Sequence, residues 1–212
     1  MPVVLIHGAL RWKLGLIPTA RFLKKRGFDA RIFGYATRRH TLDEHGEMLE
    51  AFIHDWLGER PAPVLGFVTH SMGGLVARSY LARAKARAHS RSQRLVMLAP
   101  PNQGSKLAQI NQELRPFHWL YGKAASELLP DNVQSMPLPP STAQVIVFAG
   151  GRLDGREGYH PSLDGNDDGV VAVRETQLGD VEPELVGGVH SFLQWRTDVL
   201  ERAARFLVDG EA

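Results

Sequence analysis

Along the chain, short β-branched apolar runs alternate with longer stretches in which apolar residues recur every three or four positions. Five runs have the length and composition of buried strands: Val3 to Ile6, Phe28 to Phe33, Val64 to Thr69, Arg94 to Leu98 and Gln144 to Ala149. A weaker sixth spans Pro183 to Val186. Between them, Leu14 to Lys25, Leu42 to Leu57, Gly73 to Ala88 and Phe192 to Val208 each carry one apolar stripe at helical spacing. Strand and crossover helix in repeated succession predict an α/β fold: a mostly parallel sheet of about six strands with helices on both faces. Gly27, Gly58 with Pro61, and the polar stretch from His89 to Gln93 stand where helices are expected to stop.

One segment breaks the alternation. From Asn102 to Ala143 there is no convincing strand; a helix fits within Ser105 to Trp119, and Pro137, Pro139 and Pro140 mark a stiff return. An insertion of that length suggests a lid. Its Leu107, Ile110, Leu114, Phe117, Trp119, Leu120 and Tyr121 would either roof a pocket or pack a stripe on the core. A second irregular stretch, Gly150 to Gly169, is rich in Gly and Asp.

Composition narrows the classes. The length of 212 residues, 43% of them hydrophobic, suits one domain over 1–212, with 102–143 as its lid or insert. A formal net charge of +2 carries no nucleic-acid footprint, and no cysteine is present for disulfides or thiol catalysis. The start, Met1-Pro2-Val3-Val4-Leu5-Ile6, lacks the basic and long apolar regions of a signal peptide, and no run reaches membrane-spanning length. The expectation is a cytoplasmic protein without a membrane segment, the alternative being the mature form of a secreted one. Arg78, Arg83, Lys85, Arg87, Arg91 and Arg94 form a basic run read as a solvated face.

The chemistry centres on Val68-Thr69-His70-Ser71-Met72-Gly73-Gly74, at a predicted strand-to-helix junction. A serine nucleophile on such a turn adopts a strained backbone, so its neighbours must be small. Gly73 and Gly74 meet that need, whereas Thr69 stands where G-x-S-x-G expects glycine. His7-Gly8-Ala9-Leu10 follows the first strand, and the amides of Ala9 and Met72 are the candidate oxyanion donors. For the general base, Val189-His190-Ser191-Phe192 places His190 between the last strand and the last helix. The other histidines fit less well. His40, His45, His54 and His89 are expected to be solvated, His70 to point away from the serine, and His7 to brace the oxyanion loop, while His118 and His160 fall in irregular segments. The acid is either Asp154, in Gly150-Gly151-Arg152-Leu153-Asp154, or Asp168, in Asn166-Asp167-Asp168-Gly169-Val170-Val171. The tight apolar-anchored turn after Asp168 favours it, and Asp154 reads as a solvated turn.

HG after the first strand, HSMGG after the third, then DDGVV and a late VHSF resemble in that order a small α/β-hydrolase of the serine esterase/lipase type, similar to bacterial triacylglycerol lipases. The resemblance runs from Val3 to about Leu207. It implies the α/β-hydrolase fold in a minimal version lacking the first two strands of larger members, and a triad of Ser71, Asp168 and His190 with oxyanion amides from Ala9 and Met72. Leu10, His70, Phe117, Trp119 and Leu120 are the expected substrate-contacting side chains, the substrate being a small-molecule or lipid ester and no cofactor being required. Asp154, His160, Asp164 and Asp167 offer a calcium-like cluster, but a solvated Asp-Gly turn is the expected reading, with no metal. The alternatives in function are a non-catalytic binding protein with the same pocket, or an amidase or thioesterase using the same triad.

Overall fold

The computed structural model describes residues 1–9, 13–58, 61–83, 86–114 and 122–210. Strands β1 (Pro2–Ile6), β2 (Asp29–Phe33), β3 (Ala62–His70), β4 (Ser90–Leu98), β5 (Ala143–Ala149) and β6 (Glu184–Leu185) form one sheet in the order β2-β1-β3-β4-β5-β6. Every neighbouring pair is parallel. Helices α1 (Ile17–Lys24), α2 (Leu42–Leu57), α3 (Gly73–Leu81) and the short α4 (Ala86–His89) are crossovers, and α8 (Thr197–Asp209), expected as another, follows the last strand. Among the described residues between β4 and β5 are the short helices α5 (Lys106–Asn111), α6 (Ala124–Glu127) and α7 (Pro130–Gln134). Among the described residues no helix is long and apolar enough to cross a membrane.

The strands read as continuous apolar runs because both faces of the sheet are covered. Successive residues serve opposite cores. Val4, Ile6, Leu65, Phe67, Leu95, Met97 and Val147 face Leu49, Ile53, Leu75 and Tyr80 of α2 and α3. Val3, Leu5, Val68, Val96, Leu98, Ile146 and Phe148 face Leu23, Val199, Ala203 and Phe206 of α1 and α8. Local chemistry sets the helix ends. Thr41 caps α2 reciprocally with Glu44, whose carboxylate accepts from the Thr41 amide at 2.7 Å. Gly58 and Gly210, both at positive φ, end α2 and α8.

Three expectations are corrected. The helix from Gly73 ends at Leu81, with α4 a separate turn, and β4 begins at Ser90 inside the stretch expected to be a helix stop. It does so because β3 also extends, so that Ala62 pairs with Ser90. His45 and His89, expected in solvent, are buried: His45 lies edge-on to Tyr35, and His89 Nδ1 is 3.1 Å from the Tyr80 hydroxyl. Arg78 likewise leaves the basic face and is buried, because every residue of α3 is covered by the sheet, α2 and the insert.

Among the described residues no carboxylate accepts a hydrogen bond from Arg78. Its guanidinium donates to carbonyl oxygens of Met136 at 3.0 Å, Asn102 at 3.3 Å, and Val133 and Pro137 at 3.5 Å. Burial pulls its pKa down to about 10, still charged at neutral pH. One planar fork thus fastens α7 and the proline-rich return to α3. Arg78→Met should destabilise the protein by about 2–3 kcal/mol, since carbonyls lose a charged donor. Chemical denaturation reads the loss, and limited proteolysis should then cut between residues 129 and 142 first.

Burial, with the nearby His40, pushes the pKa of His45 down to about 4, below the roughly 6.5 of an unfolded chain. The unfolded chain then binds a proton that the folded one refuses. Stability from this group is complete above about pH 6.5 and falls as pH drops toward 4. Between pH 7.5 and 5 the fall should be about 2 kcal/mol, and His45→Phe should remove that share of the slope in denaturant titrations at the two pH values.

Candidate active site

The sheet order reverses between β1 and β3: the chain leaves β1 for β2 on one side and returns to β3 on the other. A crevice opens at the carboxyl ends of strands at such a switch point. His7-Gly8-Ala9 leaves β1 there, and Ser71 leaves β3 beside it. Ser71 has φ +54°, a left-handed conformation costing a non-glycine residue about 1–3 kcal/mol. Its amide donates to the Leu98 carbonyl at 2.9 Å, tying the turn to the end of β4.

Crowding explains the glycines. A Cβ on Gly73 would stand 2.5 Å from the Ile6 carbonyl oxygen and 2.8 Å from that of His7; one on Gly8 would stand 2.8 Å from Ser71 Cβ. The helix side and the facing loop therefore bear the steric demand. Thr69 fits because its buried hydroxyl turns across the sheet and donates to the Val96 carbonyl at 3.1 Å.

After β5, Gly151 bridges Gly188, and the His190 amide donates to the Asp168 carbonyl at 2.9 Å. Their side chains meet in the interior: His190 Nδ1 lies 2.7 Å from Asp168 Oδ2, with Asp168 1% exposed. The other oxygen, Oδ1, accepts from the amides of Val170 at 3.0 Å and Val171 at 2.8 Å. A carboxyl group so held is aimed at one imidazole nitrogen. Its neighbour Asp167 is engaged differently, accepting from the amides of His160 at 3.0 Å and Gly169 at 2.7 Å. Asp154 is exposed and pairs with Arg152, which holds its carboxyl below the usual range.

Ser71 and His190 line one cavity of about 330 Å³ together with Ala9, Met72 and His70. Leu107, Ala108 and Leu128 from the insert, and Val170 and Val171 from the acid turn, form its apolar walls. Met72 stands at the start of α3, where helix amides have no intrahelical acceptor. His70 Nε2 lies 2.9 Å from the His190 carbonyl and its ring packs on that of His190 at 4.7 Å, so it braces the histidine loop from inside. Leu10, Phe117, Trp119 and Leu120 lie outside the described residues, as do His118 and Tyr121. Of the insert stripe, Leu107 faces the cavity, whereas Ile110 and Leu114 are exposed.

The four residues weighed for a metal are engaged elsewhere. Asp154 pairs with Arg152 and Asp164 with Arg174, Asp167 accepts backbone amides, and His160 Nδ1 accepts from the Ser162 amide. Among the described residues no group of three or more metal-ligating side chains assembles. Two supporting contacts have partners with no signal in the sequence: Tyr35, against the His7 expected to brace the loop after β1, and Glu175. His7 stacks on Tyr35 at 4.4 Å while the Tyr35 hydroxyl donates to the His7 carbonyl at 2.6 Å, stiffening the loop after β1. Burial keeps the His7 pKa below its ordinary value and raises that of Tyr35, so both are neutral. Glu175, on the 3-10 turn Val173–Thr176, is buried and accepts from the amides of Lys106 at 2.6 Å and Ala172 at 2.8 Å.

No protein-family model and no curated protein sequence matches the chain. Solved structures do. The mature lipase BlEst2 of Bacillus licheniformis aligns over 98% of this chain and 90% of its own at 19% identity, TM-score 0.74. The metagenomic carboxyl esterase MGS0156 aligns over 100% and 76% at 16% identity, TM-score 0.68. Carboxylesterase CesB of Bacillus subtilis aligns over 100% and 84% at 15% identity, TM-score 0.56. With its six-stranded parallel sheet, two helical layers and neighbours of this kind, the chain has a minimal α/β-hydrolase fold.

Proposed function

We propose that the protein is a serine hydrolase that cleaves carboxylic esters through an acyl-enzyme. The observation that carries this reading is the buried 2.7 Å contact of Asp168 with His190, a histidine that lines one cavity with the left-handed Ser71. In the proposed reaction Ser71 Oγ attacks the ester carbonyl carbon while His190 Nε2 takes its proton. Asp168, bonded to Nδ1, fixes the tautomer and stabilises the imidazolium. The carbonyl oxygen becomes an oxyanion held by the amides of Ala9 and Met72. As the tetrahedral intermediate collapses, His190 returns the proton to the departing alcohol. Water then repeats the sequence on the acyl-enzyme, releasing the acid and restoring Ser71.

The apolar walls support an ester with an uncharged acyl group, and Leu107, Ala108 and Leu128 support a role for segment 102–143 in covering it. The esterases and lipase with the same fold agree with this reading. A fluorophosphonate should label the wild type and leave Ser71→Ala unlabelled; equal labelling of both, or none of the wild type, would overturn the proposal. Asp168→Asn should lower kcat on p-nitrophenyl esters by about 10³–10⁴-fold, while Asp154→Asn stays within about twofold. The reverse result would move the acid to the exposed loop.

A further inference from the structure

Glu175 is a buried carboxylate that the proposed reaction does not use. Each of its oxygens takes one backbone amide, and the two amides belong to different parts of the cavity. The first, Lys106, opens α5, whose cap Ser105 and first turn Leu107 and Ala108 line the cavity. The second, Ala172, ends the turn in which Val170 and Val171 line the cavity and donate to Asp168. The backbone repeats the connection. Gln103 donates its amide to the Glu175 carbonyl at 2.9 Å, and Asn102 and Gln103 side chains donate to the carbonyls of Thr176 and Gln177 at 2.9 and 3.0 Å. The side chain at 175 is therefore the shared acceptor of one wall of the cavity and of the turn that holds Asp168. Only a carboxylate presents two acceptors there; an amide in its place would turn an NH₂ toward one of the two N–H groups.

We propose that Glu175 is a positioning residue that sets acyl-chain selectivity by clamping α5 to the acid turn, so that one side chain governs both the width of the cavity and the seating of His190. The inference rests on the serine-hydrolase reading above. Its two arms separate by mutation. Lys106→Pro removes the α5 amide and sets the proline Cδ where that N–H met Glu175 Oε1, so it breaks this arm and leaves the Ala172 amide in place; the first helical position accepts proline, and the extended Ser105 before it (φ −117°, ψ 116°) suits one. Glu175→Gln weakens both arms.

The test measures kcat and KM on p-nitrophenyl acetate, butyrate and octanoate for wild type, Lys106→Pro and Glu175→Gln, with fluorophosphonate labelling of each. Lys106→Pro should shift the octanoate-to-acetate ratio of kcat/KM by about tenfold, the size of one hydrogen bond to a charged acceptor, with kcat on acetate within about twofold of wild type. Glu175→Gln should shift the same ratio and also lower kcat on acetate by about tenfold. Ratios within twofold of wild type in both variants, whatever happens to their melting temperatures, would overturn the clamp as a determinant of selectivity. If Glu175→Gln does not fold, the Lys106→Pro ratio alone decides. A wild type that takes the label while both ratios stay unchanged sinks this inference only; an unlabelled wild type sinks the hydrolase reading and this inference with it.

Discussion

The structure turns on one close approach. Helix α3 starts so near the end of β1 that the carbonyl oxygens of Ile6 and His7 occupy the space a side chain at residue 73 would need. That contact forces the β3–α3 connection into a tight turn, and the turn in turn holds Ser71 in the left-handed region. The strain is local and amounts to a small part of what two apolar layers contribute by closing over both faces of the sheet. Because the site stands at the point where the sheet order reverses, the loop after β1 is already alongside the serine. Neither loop has to reach across the sheet to meet the other.

The interior around the site handles charge with backbone more than with counter-ions. Asp167, Asp168 and Glu175 are all buried, and each takes two amides on its carboxylate. Arg78 is the mirror case, a buried cation surrounded by carbonyls. Pairing these ions with one another would have freed the loops from them. Asp167 and Asp168 bond amides within seven residues and so fix the course of their own irregular loop, whereas Glu175, through Lys106, and Arg78 fasten segments far apart in sequence.

Much of this was legible from residue pattern. Five strands and the helices over 17–24, 42–57, 73–81 and 197–209 are foreshadowed by apolar periodicity, because a parallel sheet covered on both faces leaves apolar runs along its strands. The meeting of Asp168 with His190 was foreshadowed by chain order and by the Gly-Val-Val that follows the acid. What pattern could not reveal are the contacts made by tertiary packing. His45 and His89 carry the polarity of surface residues, and Arg78 sits in a basic run, yet packing against Tyr35 buries the first, packing against Tyr80 the second, and the covering of α3 the third. Glu175 looks like one more acidic residue of a polar loop, since its partners are amides, which leave no trace in a sequence. The short span of β6, only Glu184–Leu185, likewise reflects a strand defined by its neighbour more than by its own residues.

Thr69 bears on how chains of this kind are recognised. Its hydroxyl is absorbed by the neighbouring strand, while the unforgiving distances lie at residues 8 and 73. A pattern demanding glycine two places before the serine would therefore pass over this protein for a reason unrelated to its geometry. A pattern requiring glycine two places after the serine and in the loop after the first strand, and tolerating a small hydrogen-bonding residue before it, would encode the contacts themselves. Distant sequences selected that way would share a steric arrangement even where their letters around the serine differ.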